Sequence, residues 1–330
     1  MTPSGFVLLD KNPGDTSFKA LFPLKRVFST KRVGHAGTLD LRASGLIVAA
    51  IGRATRLLPF VEAKDKCYTF RLHLGYETDT LEWDGDVVAQ DEFGIRNSEF
   101  GIDDGVILSE AQRSRRIQAE CSLPAINRAA LEAVLPQFIG DIDQVPPRYC
   151  AVKIDGRRAS DWAERGKDFE MKPRRIHIES LKIVGEGGVT EGCSGKCFAT
   201  FDLECVCSKG TYIRSLGRDL ARALGTYGCV SLIRRHRIGN ITLDRAVKGE
   251  NLTAENLVPV DKVLDYPVLR LAEDGLAVIR RGNWLPWKNN VEGVGPEGYV
   301  FVARENGEVL SLCRFEPGRI WPKYFLGGDE

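Results

Sequence analysis

Residues 34–46 of this 330-residue chain are G-H-A-G-T-L-D-L-R-A-S-G-L, a loop of small residues that leads into an apolar stretch. Glycine and other small residues let a backbone approach a ligand closely. The first seven residues of this segment contain one carboxylate, Asp40, and one aromatic-type ring, His35. Asp40 is therefore a candidate catalytic residue, although an aspartate in such a loop more commonly caps a turn.

The segments around this loop have the hydrophobic periods of short strands and helices. Strands are predicted at 6–9, 45–51, 68–74, 199–205, 298–303 and 309–312. Helices are predicted from Thr16 or Ser17 to about Val27 with a kink at Pro23, at 53–61, after the cap Asn127, at 211–224, and as a short piece within 252–266. The segment 75–85 is predicted to be a polar loop, and 90–123 an irregular surface insertion.

Length and composition favour two globular domains without a membrane span or a metal site. A chain of 330 residues exceeds one ordinary core. Its longest purely apolar run, 46–51, is far shorter than the roughly 20 residues that a spanning helix needs. None of the nine cysteines forms a C-x-x-C pair, which argues against a zinc site and favours reduced thiols in the cytoplasm.

Charge is distributed unevenly along the chain. The net charge of +1 argues weakly against nucleic-acid binding. However, residues 1–60 contain nine Lys/Arg against three Asp, and 205–240 contain seven Lys/Arg against one Asp. Residues 61–110 contain four Lys/Arg against thirteen Asp/Glu. If the two basic blocks meet in the fold, they provide a surface for phosphates.

Four further residues have the chemistry for a site, each with a structural alternative. Arg214 lies in the first turn of the 211–224 helix, where the helix dipole is unfavourable for a cation and a carboxylate from elsewhere would offset it. Tyr68 lies on the apolar face of its strand and is either a core residue or a wall for a stacked base. Lys209 precedes the same helix, whose N-terminus suits an anion. Lys11 adjoins a Pro-Gly turn, where a lysine is usually solvated.

Several motifs resemble, in order, those of the TruB-type tRNA pseudouridine synthases, and together they cover about residues 6–240. The segments are V-L-L-D-K-N-P-G-D-T-S (7–17), the loop beginning at Gly34, K-C-Y (66–68), G-D-I-D-Q-V-P-P (140–147), Y-C-A-V-K-I-D-G-R-R-A (149–159), C-S-K-G-T-Y-I-R (207–214) and I-R-R-H-R-I-G (233–239). The chain departs from the family at Leu41, where a proline is usual, at Ile233, where a leucine is usual, and in the length of 90–123.

The resemblance implies an α+β fold with a mixed, largely antiparallel sheet flanked by helices, the pseudouridine synthase fold. A catalytic domain is expected at 1–265, with the surface insertion 90–123 and an RNA-binding thumb at 145–176. Residues 266–330 are expected to form a small β-rich, PUA-like RNA-binding domain.

The resemblance also implies the activity, which is isomerisation of the T-loop uridine of tRNA, position 55, to pseudouridine. Asp40 is expected to be the nucleophile, attacking either the ribose or the base, and Arg214 to keep it ionised. Tyr68 is expected to stack on the flipped uracil, and His35 to fill the space that the base leaves. Pocket and RNA contacts are expected from Tyr212, Ile233, Lys11, Lys209, Arg157 and Arg158.

The reaction changes no oxidation state and transfers no group to another molecule, so neither a cofactor nor a metal is expected. The expected partner is the T-stem-loop of tRNA, bound by a cytoplasmic monomer without a membrane or an obligatory protein partner. Two alternatives remain: a guide-RNA-dependent pseudouridine synthase subunit, and a non-catalytic protein that binds or folds tRNA.

Overall fold

The computed structural model describes residues 3–91, 95–96, 127–185, 187–191, 196–287, 294 and 298–327. The predicted insertion 90–123 lies almost wholly outside these residues. The chain forms two compact units, one made of residues 1–64 and 237–330 and the other of residues 65–236. None of the helices in the described ranges is long and apolar enough to cross a membrane.

The strands are β1 (Gly5–Lys11), β2 (Val33–Ala36), β3 (Ser44–Ile51), β4 (Lys66–Leu74), β5 (Tyr76–Thr78), β6 (Val87–Gln90), β7 (Ile95–Arg96), β8 (Gly140–Gln144), β9 (Lys153–Ile154), β10 (Arg157–Arg158), β11 (Arg174–Ile183), β12 (Gly188–Glu191), β13 (Lys196–Cys207), β14 (Gly228–Ile238), β15 (Ile241–Thr242), β16 (Val268–Arg270), β17 (Leu285–Pro286), β18 (Tyr299–Ala303), β19 (Val309–Glu316) and β20 (Arg319–Phe325).

The α-helices are α1 (Phe22–Val27), α2 (Leu58–Glu62), α3 (Arg128–Val134), α4 (Ala159–Ala163), α5 (Ile213–Ala223) and α6 (Glu273–Arg280). Short 3₁₀ turns occupy Lys19–Leu21, Gly52–Leu57, Leu135–Phe138, Leu243–Arg245, Gly249–Asn251, Ala254–Asn256 and Val260–Lys262.

In the first unit, β3 pairs antiparallel with both β1 and β2. The C-terminal strands form a five-stranded sheet in the order β16-β18-β19-β20-β17, with β16 and β18 parallel. Its two faces are both buried. Phe301 packs in one core with Phe6 and Leu46, whereas its neighbours Val300 and Val302 pack in another that includes Ile279 of α6.

In the second unit, the strands follow the order β14-β4-β13-β11-β8. The pairing of β4 with β13 places Tyr68 opposite Cys205. Strand β13 is antiparallel to both of its neighbours, β4 and β11. Helix α5 packs closely on this sheet, because a Cβ added at Gly217 would lie 2.2 Å from Val230 Cγ1. Glycine at this position therefore lets the helix backbone approach the strand.

The structure confirms most predicted strands and the helix at α5, where Gly225 follows with a φ of 76°. The cap of α3 is also confirmed, since Asn127 Oδ1 accepts a hydrogen bond from Ala130 N. The predicted continuous helix to Val27 is wrong. A 3₁₀ turn precedes α1, and Pro23 lies in the first turn of α1, where proline causes no kink.

Three other expectations need correction. The segment 53–61 is a 3₁₀ turn followed by α2, with Pro59 again in the first helical turn. The segment 75–85 is not all loop, because it contains β5, which pairs with β6. Within 252–266 only 3₁₀ turns form. The predicted domain boundary between residues 265 and 266 stays a prediction.

In the predicted strand 68–74, apolar residues alternate with Thr69, Arg71 and His73, and this alternation predicts that His73 lies on the polar face. In the structure His73 is buried, with 4% of its surface exposed. Its Nε2 shares a hydrogen bond of 2.7 Å with Ser231 Oγ on β14. Burial, together with the positive charge of Arg71, lowers the pKa of His73 from the usual 6.5 to about 4. The imidazole is therefore neutral in the folded protein at neutral pH.

This shift predicts that the second unit loses stability in mild acid. Between pH 6.5 and about 4 the unfolded chain binds a proton at His73 that the folded chain does not, so the free energy of unfolding falls as pH is lowered. The full effect is on the order of 3 kcal/mol at about 1.4 kcal/mol per pKa unit. Urea unfolding at pH 4.5 and 7 should show a smaller pH difference in His73→Gln than in the wild type. The control is the same comparison between pH 7 and 8, where His73 is neutral in the folded protein and largely neutral in the unfolded chain, so the two proteins should show nearly the same pH difference there.

Candidate active site

The loop that carries Asp40 connects β2 to β3 in the first unit. Gly37 has a φ of 78°, a conformation that favours glycine. Asp40 is half-buried, and its carbonyl accepts a hydrogen bond of 3.2 Å from Ala43 N. His35 lies on β2, is also half-buried, and is opposite Ala49 of β3. The loop therefore begins and ends on paired strands.

Two side chains hold this loop, one from the end of β1 and one from the segment that follows β1. Ser17 Oγ accepts a hydrogen bond of 2.9 Å from Leu39 N and donates one of 3.0 Å to Leu39 O. Lys11 Nζ donates to Leu41 O at 3.2 Å and to Ala43 O at 2.6 Å. Asp40 thus lies between two backbone positions that are fixed by buried polar groups.

Lys11 has 2% of its surface exposed, and its ammonium also donates to Asn12 O at 2.9 Å. In this structure the Lys11 side chain therefore points at the loop rather than into solvent. Its visible role is to hold the Asp40 loop, and its predicted contact with RNA stays a prediction.

Tyr68 lies on β4 in the second unit and is 9% exposed. The guanidinium of Arg235, on the neighbouring strand β14, lies 6.0 Å from the centre of its ring. Arg235 Nη1 is 3.5 Å from the phenolic oxygen, and Arg235 itself is 1% exposed. A buried cation beside the ring restricts the orientation of Tyr68.

Arg214, in the first turn of α5, is 5% exposed. Its Nη1 donates to Thr80 O and its Nη2 to Tyr149 O, both at 2.8 Å. Glu82 Oε1 lies 3.9 Å from its Nε. Two other chain segments, 80–82 and the one at Tyr149, therefore determine the direction of this guanidinium.

The start of α5 is held by the end of β8. Gln144, 1% exposed, accepts a hydrogen bond of 2.8 Å from Tyr212 N and donates one of 3.2 Å to Tyr212 O. Ser215 Oγ and Arg218 Nη2 both donate to Val145 O, at 2.8 and 2.9 Å. Tyr212 is half-buried at this junction. Its backbone is therefore fixed, while its ring lies beside the helix N-terminus.

Ile233 is 6% exposed and follows a strained residue on β14. Leu232 has a φ of 51° and is 65% exposed. A left-handed conformation costs a non-glycine residue about 1–2 kcal/mol, and such strain often accompanies functional positions. The strain changes the direction of the strand immediately before the predicted pocket residue.

The predicted RNA-binding arginines lie on exposed parts of the second unit. Arg157 and Arg158 form β10, which pairs with β9 across the two-residue turn Asp155-Gly156. Both turn residues have positive φ, as the tightest hairpins require. Arg157 lies 5.8 Å from the centre of the Trp162 ring. Lys209 is exposed in the turn before α5.

The structure thus groups the predicted residues within each unit. Asp40, His35 and Lys11 belong to the first unit, whereas Tyr68, Arg214, Tyr212, Ile233, Lys209, Arg157 and Arg158 belong to the second. The predicted convergence of Asp40 with Tyr68 and Arg214 in one cleft stays a prediction. In the described ranges, no group of three or more His, Cys, Asp or Glu residues could hold a metal ion.

Sequence reasoning missed four residues that support these side chains: Ser17, Glu82, Gln144 and Arg235. Little in the sequence indicated these residues, because each lies in or next to a segment in which a different residue or role was considered. Ser17 was considered only as a helix cap, and Gln144 was only part of a quoted motif. Arg235 belongs to a basic run whose members were not distinguished, although alternation along β14 turns every second side chain inward.

Comparison with known proteins identifies this arrangement. The N-terminal domain of TruB family pseudouridylate synthases matches residues 25–104 and 99–213. A tRNA pseudouridine synthase B of Bradyrhizobium diazoefficiens is 36% identical over 333 residues, covering 97% of this chain and 84% of that protein. One of Caulobacter vibrioides is 32% identical, covering 97% and 94%. One of Borreliella burgdorferi is 31% identical, covering 87% and 88%.

Solved structures agree in fold. An H/ACA RNP bound to a substrate RNA containing 2′-deoxyuridine matches with a TM-score of 0.64 at 16% identity, covering 98% of this chain and 85% of that one. An archaeal box H/ACA sRNP Nop10-Cbf5 complex matches with a TM-score of 0.63 at 18% identity, covering 98% and 86%. The predicted fold class, a pseudouridine synthase fold with a small β-rich PUA-like C-terminal part, is confirmed.

The fold and the sequence relatives define a pseudouridylate synthase, an isomerase. Among these enzymes, the chain belongs to the TruB family.

The loop contacts predict that Ser17 positions Asp40. Ser17→Ala leaves the buried N–H and C=O of Leu39 without this partner, which costs about 1–3 kcal/mol. Because small misplacements of a reacting group are costly, the single-turnover rate of pseudouridine formation should fall by about ten- to a hundredfold. RNA affinity should change little.

Thr16→Ala is the matched control. Thr16 Oγ1 accepts a hydrogen bond of 3.0 Å from Lys19 N, an exposed contact that does not involve the loop. Single-turnover assays and filter binding of both variants distinguish the two effects. Equal rates in Ser17→Ala and Thr16→Ala would contradict a positioning role for Ser17.

Proposed function

We propose that this chain isomerises the T-loop uridine of tRNA, position 55, to pseudouridine, with Asp40 as the nucleophile. The observation that carries the proposal is the 36% identity to a tRNA pseudouridine synthase B over 97% of the chain. The buried anchoring of the Asp40 loop by Ser17 and Lys11 supports it, because a nucleophile must be held in a fixed geometry.

The reaction breaks the bond between the ribose C1′ and the uracil N1, and it forms a bond from C1′ to C5. The hydrogen lost from C5 is balanced by a hydrogen gained at N1, so the product is an isomer. The protein must supply a nucleophile, a pocket in which the uracil can turn, and a group that moves a proton. Asp40 would provide the first function, by attack on either the ribose or the base.

The target uridine must leave the stacked loop before this chemistry can begin. His35 would occupy the space that it leaves. Tyr68 would stack on the flipped uracil and relay a proton, with its ring held by Arg235. Tyr212 and Ile233 would line the rest of the pocket. The strained Leu232 supports this assignment for Ile233.

Arg214 would keep Asp40 ionised through a carboxylate–guanidinium contact. Its two hydrogen bonds to Thr80 O and Tyr149 O support this role, because they orient the guanidinium without adding negative charge. The partly buried Glu82 compensates some of the positive charge from 3.9 Å. A fixed cation of this kind lowers the pKa of any carboxylate that approaches it.

The RNA backbone would be held by exposed basic residues of the thumb. Arg157, Arg158 and Arg174 are exposed, as is Arg175, which lies 3.7 Å from Asp143. Lys209 would add a phosphate contact next to the N-terminus of α5. We propose that the enzyme acts in the cytoplasm as a monomer without an obligatory protein partner.

The overall test is incubation of the purified protein with unmodified tRNA transcript, followed by mapping of pseudouridine. The proposal expects one modified position, in the T-loop, without any added RNA. A guide-RNA-dependent subunit would require an added guide, a possibility raised by the fold similarity to H/ACA complexes. A tRNA-binding or tRNA-folding protein would bind the transcript and leave every uridine unchanged.

The nucleophile is tested with Asp40→Asn, which is nearly isosteric. An amide cannot attack as a carboxylate does, so turnover should fall by orders of magnitude. RNA affinity should hold or rise slightly, because one negative charge facing the phosphates is removed. If Asp40 only capped a turn, the variant would lose about 1 kcal/mol of stability and keep its activity.

Single-turnover pseudouridine formation and filter binding at matched salt separate these outcomes. Asp15→Asn is the matched control. Asp15 is in the same unit and forms a 2.8 Å ion pair with Lys19 rather than belonging to the Asp40 loop. A well-folded Asp40→Asn protein with near-normal turnover would contradict the mechanism.

The thumb is tested with the double variant Arg157→Ala/Arg158→Ala. Phosphate contacts carry no sequence information, so binding to different tRNAs should weaken to a similar extent. The slope of log affinity against log salt should fall by about one for each lost contact. Arg128→Ala is the control, because this exposed arginine of α3 lies in the same unit outside the thumb and already pairs with Glu132 at 2.8 Å. An unchanged slope in the double variant would exclude the thumb contact.

A further inference from the structure

Two exposed aromatic rings form an ordered surface on the segment around α1. Phe18 is 59% exposed and Phe22 is 50% exposed. Their ring centres lie 5.5 Å apart in an edge-to-face arrangement with an interplanar angle of 82°. Lys25 Nζ lies 4.6 Å from the centre of the Phe18 ring and 5.1 Å from that of Phe22. We refer to Phe18, Phe22 and Lys25 as the aromatic platform.

The rings of the aromatic platform are not partly exposed members of the hydrophobic core. Leu21 and Leu24, from the opposite face of the same segment, are 2% and 0% exposed and anchor it. Single exposed apolar residues are common on protein surfaces. Two contacting rings that share one cation are different, because each ring still exposes half or more of its surface while its position is fixed.

The platform adjoins the Asp40 loop. Phe18 directly follows Ser17, whose hydroxyl bonds both backbone groups of Leu39, and Asp40 directly follows Leu39. The platform and the Asp40 loop are therefore joined within one unit through the Ser17–Leu39 hydrogen bonds. This location connects the exposed rings to the substrate rather than to a distant surface.

The surrounding charge favours a polyanion. Lys19 and Arg26 flank the platform in sequence, and residues 1–60 contain nine Lys/Arg against three Asp. The nearby Asp15 is already paired with Lys19 at 2.8 Å. Unpaired RNA bases stack on aromatic side chains, and a neighbouring cation reinforces such stacking and attracts the phosphate.

We propose that the aromatic platform stacks an unpaired base of the substrate RNA next to the target uridine, with Lys25 contacting a phosphate. This inference rests on the proposed function, because it assumes that the RNA loop lies at Asp40. It adds a base-binding site outside the uracil pocket and involves no residue to which the reaction mechanism assigns a role.

The test uses the full-length protein and a T-stem-loop RNA. Phe18→Leu/Phe22→Leu keeps apolar side chains and removes both rings, and it should weaken binding by about 5- to 100-fold without changing the salt slope. Phe18→Tyr/Phe22→Tyr retains the rings and should bind like the wild type. Lys25→Ala should lower the salt slope by about one.

An abasic nucleotide placed in turn at each loop position identifies the stacked base. The wild type should lose affinity at one position besides the target, and the double leucine variant should show no further loss there. Photo-crosslinking of the wild-type protein to RNA carrying 5-iodouridine at that position should label the peptide containing residues 18–25. This measurement does not depend on how any variant folds.

The outcomes separate this inference from the proposed function. A wild type that forms pseudouridine, together with a leucine variant of wild-type affinity and no crosslink at 18–25, would overturn the platform and leave the function standing. That result would also assign the rings to a protein partner or to no ligand. A wild type that binds the RNA through 18–25 without modifying it would overturn the function and retain the platform.

Discussion

The Ser17 hydroxyl forms hydrogen bonds with both the N–H and the C=O of Leu39, and these two bonds constrain the loop that carries Asp40. The loop that carries Asp40 must keep its own peptide groups satisfied, because a buried unpaired N–H or C=O is costly. Ser17 satisfies both groups of Leu39, and Lys11 satisfies the carbonyls of Leu41 and Ala43. Asp40 lies between these anchors, so its backbone has little freedom even though the loop is rich in small residues.

In the second unit, backbone carbonyls also hold a buried cation, the guanidinium of Arg214. Arg214 is directed by the carbonyls of Thr80 and Tyr149, as the Lys11 ammonium is directed by those of Leu41 and Ala43. A carbonyl oxygen carries a dipole and no net charge, so it orients a cation without cancelling it. Arg214 has both kinds of partner, because Glu82 Oε1 also lies 3.9 Å from its Nε. The carbonyls set the direction of the guanidinium, and the carboxylate offsets part of its charge.

Hydrophobic periods predicted helix α5 and six strands, namely β1, β3, β4, β13, β18 and β19, but they did not predict the long strands β11 and β14. The failures have specific physical causes. Pro23 was predicted to kink a helix, but it lies in the first turn of the short helix α1, where no N–H partner is lost. Pro59 lies in the first turn of α2 in the same way, within a segment that was predicted as one helix. His73 alternates with apolar residues as a surface residue would, yet Ser231 from another strand provides a partner that makes its burial possible.

The candidate site also contains residues that the sequence indicated and residues that only the structure revealed. Asp40, Tyr68 and Arg214 could be identified because each belongs to a motif with a recognisable order. The residues that orient them could not, because Ser17, Gln144 and Arg235 act through contacts across 22, 68 and 167 positions of the chain. Such contacts follow from tertiary structure and leave no periodic trace in the sequence.

A short segment, 17–25, also shows how closely binding and positioning can be joined. One face contains Ser17, which fixes the Asp40 loop, and the other exposes Phe18 and Phe22. If RNA stacks on these rings as proposed, it binds one residue away from the loop anchor, and this binding would tighten the geometry of the proposed nucleophile. Binding energy from a part of the substrate that does not react would then contribute to the chemical step.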